Sequence, residues 1–142
     1  MAAGELAADC VFCKIIRGEI PSQRVFEDEH VLGFLDIQPL AAGHTILIPR
    51  HHAKTLAELP AEWAAALAQA FGRVAQAVVS VVGAQGCNVL LNDGEVAGQV
   101  VPHVHFHIVP RRPADGLGYR WKASPAPPEQ LATLAERVRA AL

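Results

Sequence analysis

The sequence predicts an α+β domain built on an antiparallel sheet, and three observations carry that reading. Short apolar runs bounded by turn residues recur at 24–27, 31–36, 45–49, 87–91 and 103–109. One long stretch, 60–82, repeats apolar residues at three- and four-residue spacing. A second helical stretch closes the chain at 130–142. With 142 residues and half of them hydrophobic, the chain is long enough for one core and too short to require two.

Each element has its own local reason. Residues 10–17 read as a short helix stopped by Gly18. The acidic turn Asp28-Glu29 separates the first two strands, and Pro49 ends the third. Pro60 suits a first helical turn and Gly83 a helix end. Between them Trp63, Leu67, Phe71, Val74, Val78 and Val81 form a stripe expected to face the core. Asn92–Gln99 is a polar, Gly-containing loop, and 111–128 is rich in Pro, Gly and basic residues and is expected to be extended. The first nine residues, Ala-rich with two acids, are expected to form a disordered tail, leaving a single domain over 10–142.

Composition excludes several classes. A net charge of −2 gives no electrostatic argument for nucleic acid. No uninterrupted apolar run approaches the ~20 residues of a membrane span, and no basic residue opens the chain as in a secretory signal. Three cysteines fit a reducing compartment better than a disulfide framework, so the expected location is the cytoplasm, with no nucleic-acid or membrane partner. Cys87 lies alone in an apolar strand as a small core residue. The Cys10–Cys13 pair leaves three readings open: zinc ligands, a redox pair, or two idle thiols.

The most informative segment is His103-Val104-His105-Phe106-His107-Ile108-Val109. In a strand, alternate side chains share a face. The three imidazoles are therefore expected together on one side, with Val104, Phe106 and Ile108 in the core. Imidazole serves near neutral pH as nucleophile, proton carrier or metal ligand.

This pattern resembles the histidine-triad (HIT) family of nucleotide hydrolases and transferases, whose mark is His-x-His-x-His followed by apolar residues. The opening Cys10-Val11-Phe12-Cys13-Lys14-Ile15-Ile16-Arg17-Gly18-Glu19-Ile20-Pro21 is similar to the family's N-terminal signature. So are Glu27–His30, Phe34–Ile37, Gly43–Pro49, Asn92–Gly94 and Ala97–Gln99. The resemblance implies a homodimer whose two sheets join into one. It implies His105 as a nucleophile that forms a nucleotidyl-histidine, with His107 aiding the leaving group and His44 orienting the site. It places Phe12, Ile15, Phe34 and Ile37 around a purine base and Asp36 at the ribose. It puts Asn92, Gly98, Gln99 and the backbone of Val100 at the phosphate.

The zinc-bearing branch of the family further implies a structural zinc ion on Cys10, Cys13, His52 and His103, with His51 the rival to His52. A zinc held by all three triad histidines is disfavoured, because the CxxC pair would draw the metal to His103 and leave His105 free. Val100 departs from relatives that carry Ser or Thr there. Pro102 has no N–H to donate. Trp121 would belong to a tail reaching the partner's site. The expected activity is hydrolysis of purine nucleoside phosphoramidates or dinucleoside polyphosphates. A nucleotidylyltransferase and a non-catalytic nucleotide-binding or scaffold protein remain the alternatives.

Overall fold

The computed structural model describes residues 4–118 and 122–142. In chain order the elements are α1 (Val11–Ile16), β1 (Arg24–Glu27), β2 (Val31–Leu35), β3 (Thr45–Pro49), α2 (Ala61–Val82), β4 (Gly86–Leu91), β5 (Phe106–Arg111) and α3 (Pro128–Ala141). The five strands form one antiparallel sheet in the order β1-β2-β3-β5-β4. The α+β fold expected from the sequence is therefore the observed one.

Both faces of the sheet are covered, which explains why β3 is buried along its whole length. On one face Val31, Leu47, Val104 and Ile108 pack under α2 with Trp63, Leu67, Ala70 and Val74. On the other, Leu32, Phe34, Ile46 and Ile48 pack with Phe12, Cys13, Ile15 and Ile16 of α1. Period-two alternation along β2 and β3 sorts their residues between the two clusters. Gly33 in the middle of β2 leaves room for its neighbours: a Cβ there would sit 2.7 Å from Leu47 Cδ2 and 3.2 Å from Phe26 Cβ, so the packing would have to shift.

Three expectations change. The α2 stripe holds from Trp63 to Val78, but Val81 is 85% exposed, and in the last turn Val82 rather than Val81 faces Gly43 beside the sheet. By length and composition α2 could cross a membrane, yet its stripe packs into the core. Residues 4–7, expected in a loose tail, are tied to the domain. Gly4 N–H donates to the Arg50 carbonyl at 2.8 Å, and His52 N–H donates to the Glu5 carbonyl at 2.7 Å. A side chain at position 4 would collide with His51 and Trp63.

The triad strand also begins later than its alternation suggests. β5 starts at Phe106, so His103, Val104 and His105 precede the ladder. Pro49 ends β3 without an N–H to offer, and Val104 N–H pairs with the Ala53 carbonyl at 2.8 Å instead. The alternation survives this: Val104 and Ile108 are fully buried toward α2, and His105 and His107 lie on the α1 face.

Candidate active site and candidate metal centre

Strand register lays out the site. Phe34 pairs with Ile46, Ile46 with His107, and His107 with Leu90. These four side chains cross the sheet in one row and floor a cavity of about 550 Å³. Small-molecule pockets run roughly 300–1,000 Å³, so the space suits a nucleotide-sized ligand. Phe12 stands edge-on to His105 at 5.0 Å and to Phe34 at 5.6 Å, which stiffens the Phe34 end. The Asn92–Val101 loop continues from the Leu90 end.

Hydrogen bonds to the main chain decide which nitrogen of each histidine carries its proton. His105 Nδ1 lies 2.7 Å from the His103 carbonyl oxygen, which can only accept. The proton is therefore on Nδ1, and Nε2 keeps its lone pair. Leu40 N–H donates to His44 Nδ1 at 3.1 Å, which leaves the His44 proton on Nε2. His44 Nε2–H then donates to His107 Nδ1 at 2.8 Å, so His107 carries its proton on Nε2.

Burial holds His44, His105 and His107 below the usual histidine range, with His107 lowered to about 4. Near pH 7 these rings are neutral. Asp36, 3.6 Å from His44 Nε2, partly opposes the shift. Asp36, His44 and His107 are close enough to suggest a cation site. The His44 proton occupies that space while Leu40 N–H holds Nδ1.

His44, His105, His107, Phe12, Ile15, Phe34, Asp36, Ile37, Asn92, Gly98 and Val100, all named from sequence, line this cavity; Gln99 does not. Its amide nitrogen donates to the carbonyls of Lys54 at 2.8 Å and Val101 at 3.0 Å, and its oxygen accepts from Gly94 N–H at 2.7 Å. The backbone N–H groups of Gly98 and Gln99 are also engaged, on the Glu95 and Gly94 carbonyls. The phosphate donors expected at 98 and 99 are thus turned inward. The N–H groups of Val100 and Val101 make no hydrogen bond among the described residues. Sequence reasoning missed Val101 and the Leu40 amide, because a backbone donor leaves no mark in the side-chain pattern. Trp121 lies outside the described residues.

The second cluster joins Cys10, Cys13, His52 and His103, whose ligand atoms all lie within 4.8 Å of one another. The Sγ···Nδ1 separations are 3.4 Å for Cys10–His103, 3.5 Å for Cys13–His52 and 3.6 Å for Cys13–His103. Tetrahedral zinc with bonds of about 2.3 Å to sulfur and about 2.05 Å to nitrogen requires a sulfur–nitrogen edge of about 3.5 Å. His103 Nε2–H donates to the Pro49 carbonyl at 3.1 Å, which leaves the Nδ1 lone pair facing the sulfurs. Burial pushes the Cys13 thiol up to about 11, while Ala7 N–H reaches its sulfur at 3.4 Å. His51 stacks on Trp63 instead, so His52 is the member of this cluster.

Comparison with known proteins agrees with this geometry. The HIT domain family matches residues 17–114. A Candida albicans protein named adenosine 5'-monophosphoramidase is 38% identical over 137 residues, 93% of this chain and 90% of that one. The crystal structure of a HIT family member from Bacillus subtilis superposes with a TM-score of 0.89 at 42% identity, covering 94% of this chain and 97% of that one. A zinc-bound histidine triad protein from Mycobacterium smegmatis gives 0.74 at 41% identity, covering 93% and 97%. On its triad, its sheet and these relatives, the chain belongs to the HIT family.

Proposed function

We propose that this protein is a nucleotide hydrolase that cleaves purine nucleoside phosphoramidates through a nucleotidyl-His105 intermediate. The observation that carries the reading is the His105 tautomer: a main-chain carbonyl holds Nδ1–H and leaves the Nε2 lone pair in the cavity beside His107. The relative named as a monophosphoramidase supports the reaction class. Dinucleoside polyphosphates are the second candidate substrates. The alternatives are nucleotidyl transfer and non-catalytic nucleotide binding.

In the first half-reaction the Nε2 lone pair of His105 bonds to phosphorus and the P–N bond breaks. The nitrogen leaves as a neutral amine with that electron pair and one added proton. The proton enters on the substrate, bound with its phosphoramidate nitrogen protonated, and His107 Nε2–H donates a hydrogen bond to a phosphoryl oxygen. In the second half, water oxygen bonds to phosphorus and the pair returns to His105 Nε2. One water proton stays on the new hydroxyl and the other passes to solvent, which balances the proton that entered with the substrate. Val100 and Val101 N–H face the phosphoryl oxygens, Asp36 accepts from the ribose hydroxyls, and Phe12, Ile15, Phe34 and Ile37 enclose the base. Asn92 donates at the phosphate, while Gln99 holds the loop.

Cys10, Cys13, His52 and His103 would hold a structural zinc ion, tying α1 and its Phe12 to the segment that carries His105. The ion would supply folding free energy. The chain acts as a cytoplasmic homodimer. β4 supports this as the joining edge: it is six residues long with Val89 43% exposed, whereas β1 is four residues long, irregular and flanked by the Arg24–Glu27 ion pair.

The decisive test mixes wild type with an adenosine phosphoramidate, quenches in base and examines the peptides by mass spectrometry. An adenylyl group on His105, absent in His105→Ala, is the expected result. Turnover without that adduct and with an active His105→Ala removes the mechanism. Binding without turnover of phosphoramidates or dinucleoside polyphosphates favours the passive binder.

A further inference from the structure

The end of the cavity nearest β4 has an unusual chemical character. Val100 stands 89% exposed at its rim, and Leu90 of β4 lines the same cavity. No Lys or Arg occurs among the described residues that line the cavity, and Asp36 is their one carboxylate. Lysine and arginine are therefore missing from this lining, and the exposed surface at the rim is hydrocarbon.

The row across the sheet gives this a direction. Phe12 and Phe34 occupy one end, where the nucleoside lies in the reading above. The group displaced by His105 departs toward the other end, along Leu90 and Val100. A leaving group that carries further phosphates would bring two or more negative charges into a half-enclosed space with no lysine or arginine to meet them and with Asp36 repelling them. A hydrocarbon-bearing amine would instead cover Val100 and withdraw both surfaces from water.

We infer that Val100 selects the leaving group, so that the site releases uncharged, hydrocarbon-bearing amines from nucleoside phosphoramidates and discriminates against anionic ones. This rests on the phosphoramidate reading and narrows it. The substrate would come from a reaction class that joins a nucleotide to an apolar amine.

The test compares kcat/KM for adenosine phosphoramidates of benzylamine and of taurine, and for diadenosine tetraphosphate. The wild type is expected to favour the benzylamine compound at least tenfold over the other two. Val100→Lys should shrink or invert that ratio by tenfold or more, and Val100→Asp should widen it. Circular dichroism checks that each variant is folded, which exposure at this position favours. Equal wild-type handling of the taurine and benzylamine compounds overturns the inference while leaving the hydrolase intact. So does a ratio that neither folded variant changes. A wild type that turns over no phosphoramidate and forms no adduct overturns the functional reading itself, and this inference with it.

Discussion

His105 owes its reactive lone pair to a main-chain oxygen, and His107 owes its outward proton to a relay that begins at a main-chain amide. The alternation of the triad made the histidines legible as a set, because it needs only period two. Their tautomers were not legible, since neither the His103 carbonyl nor the Leu40 amide is encoded by a side chain. His105→Ala should lower turnover by roughly a thousandfold or more while nucleotide affinity, read by calorimetry, stays within a few-fold. The engagement of Gln99 was not legible for a related reason: its side-chain amide meets backbone groups, closing the loop on Gly94 and Val101 and tying it to the Lys54 carbonyl. Gln99→Ala should cost about 1–3 kcal/mol in a urea titration, the range for leaving such partners unpaired. Protonation belongs to this scale too. His107 is held near 4 in the folded chain, below its ordinary value of 6.5. As pH falls through about 6.5, the unfolded chain takes up that proton first, so the folded state loses stability down to about pH 4 and regains it as pH rises. Thermal melts from pH 7 to 4 should fall less steeply for His107→Gln than for wild type.

At the level of elements, the helices and four of the five strands were readable to within a residue or two, because pattern, Pro and Gly all agreed. The start of β5 was not. Alternation continues through His103–His105, but a strand also needs a partner, and Pro49 withdraws it. The N-terminal segment escaped for the opposite reason: its attachment uses backbone groups of 50 and 52 and the absence of a side chain at Gly4. Its Ala-rich composition carries no sign of either. The candidate metal centre joins α1 to the segment before β5, so its effect belongs here. Cys13→Ser should remove the metal, measured by elemental analysis, and lower the melting temperature more than it lowers kcat. Wild type purified without chelator should hold one zinc ion per chain, and finding none would end the zinc proposal.

For the whole molecule, the sheet ends in two unlike edges, one guarded by charge and one left open. Light scattering should give twice the chain mass of 15.1 kDa. Val89→Lys should shift the protein toward monomer, since charge on an edge strand opposes pairing. No sequence pattern distinguishes an edge strand from an inner one here, because Cys87–Leu91 is as apolar as its neighbours. Strand order became known only with the fold.

His103 faces two ways. Its ring meets the sulfurs of Cys10 and Cys13, and its carbonyl fixes the proton of His105. The two duties use different atoms of one residue and are separable by substitution. A side chain that fills the same volume but binds no metal would leave the carbonyl in place and the nucleophile correctly protonated. Removing Cys10 would also cost the metal, yet His103 Nε2–H still holds the Pro49 carbonyl and Val104 N–H the Ala53 carbonyl, so the same peptide plane stays anchored. Zinc-free variants of either kind would then lose stability before chemistry, which makes that plane the joint at which the two come apart.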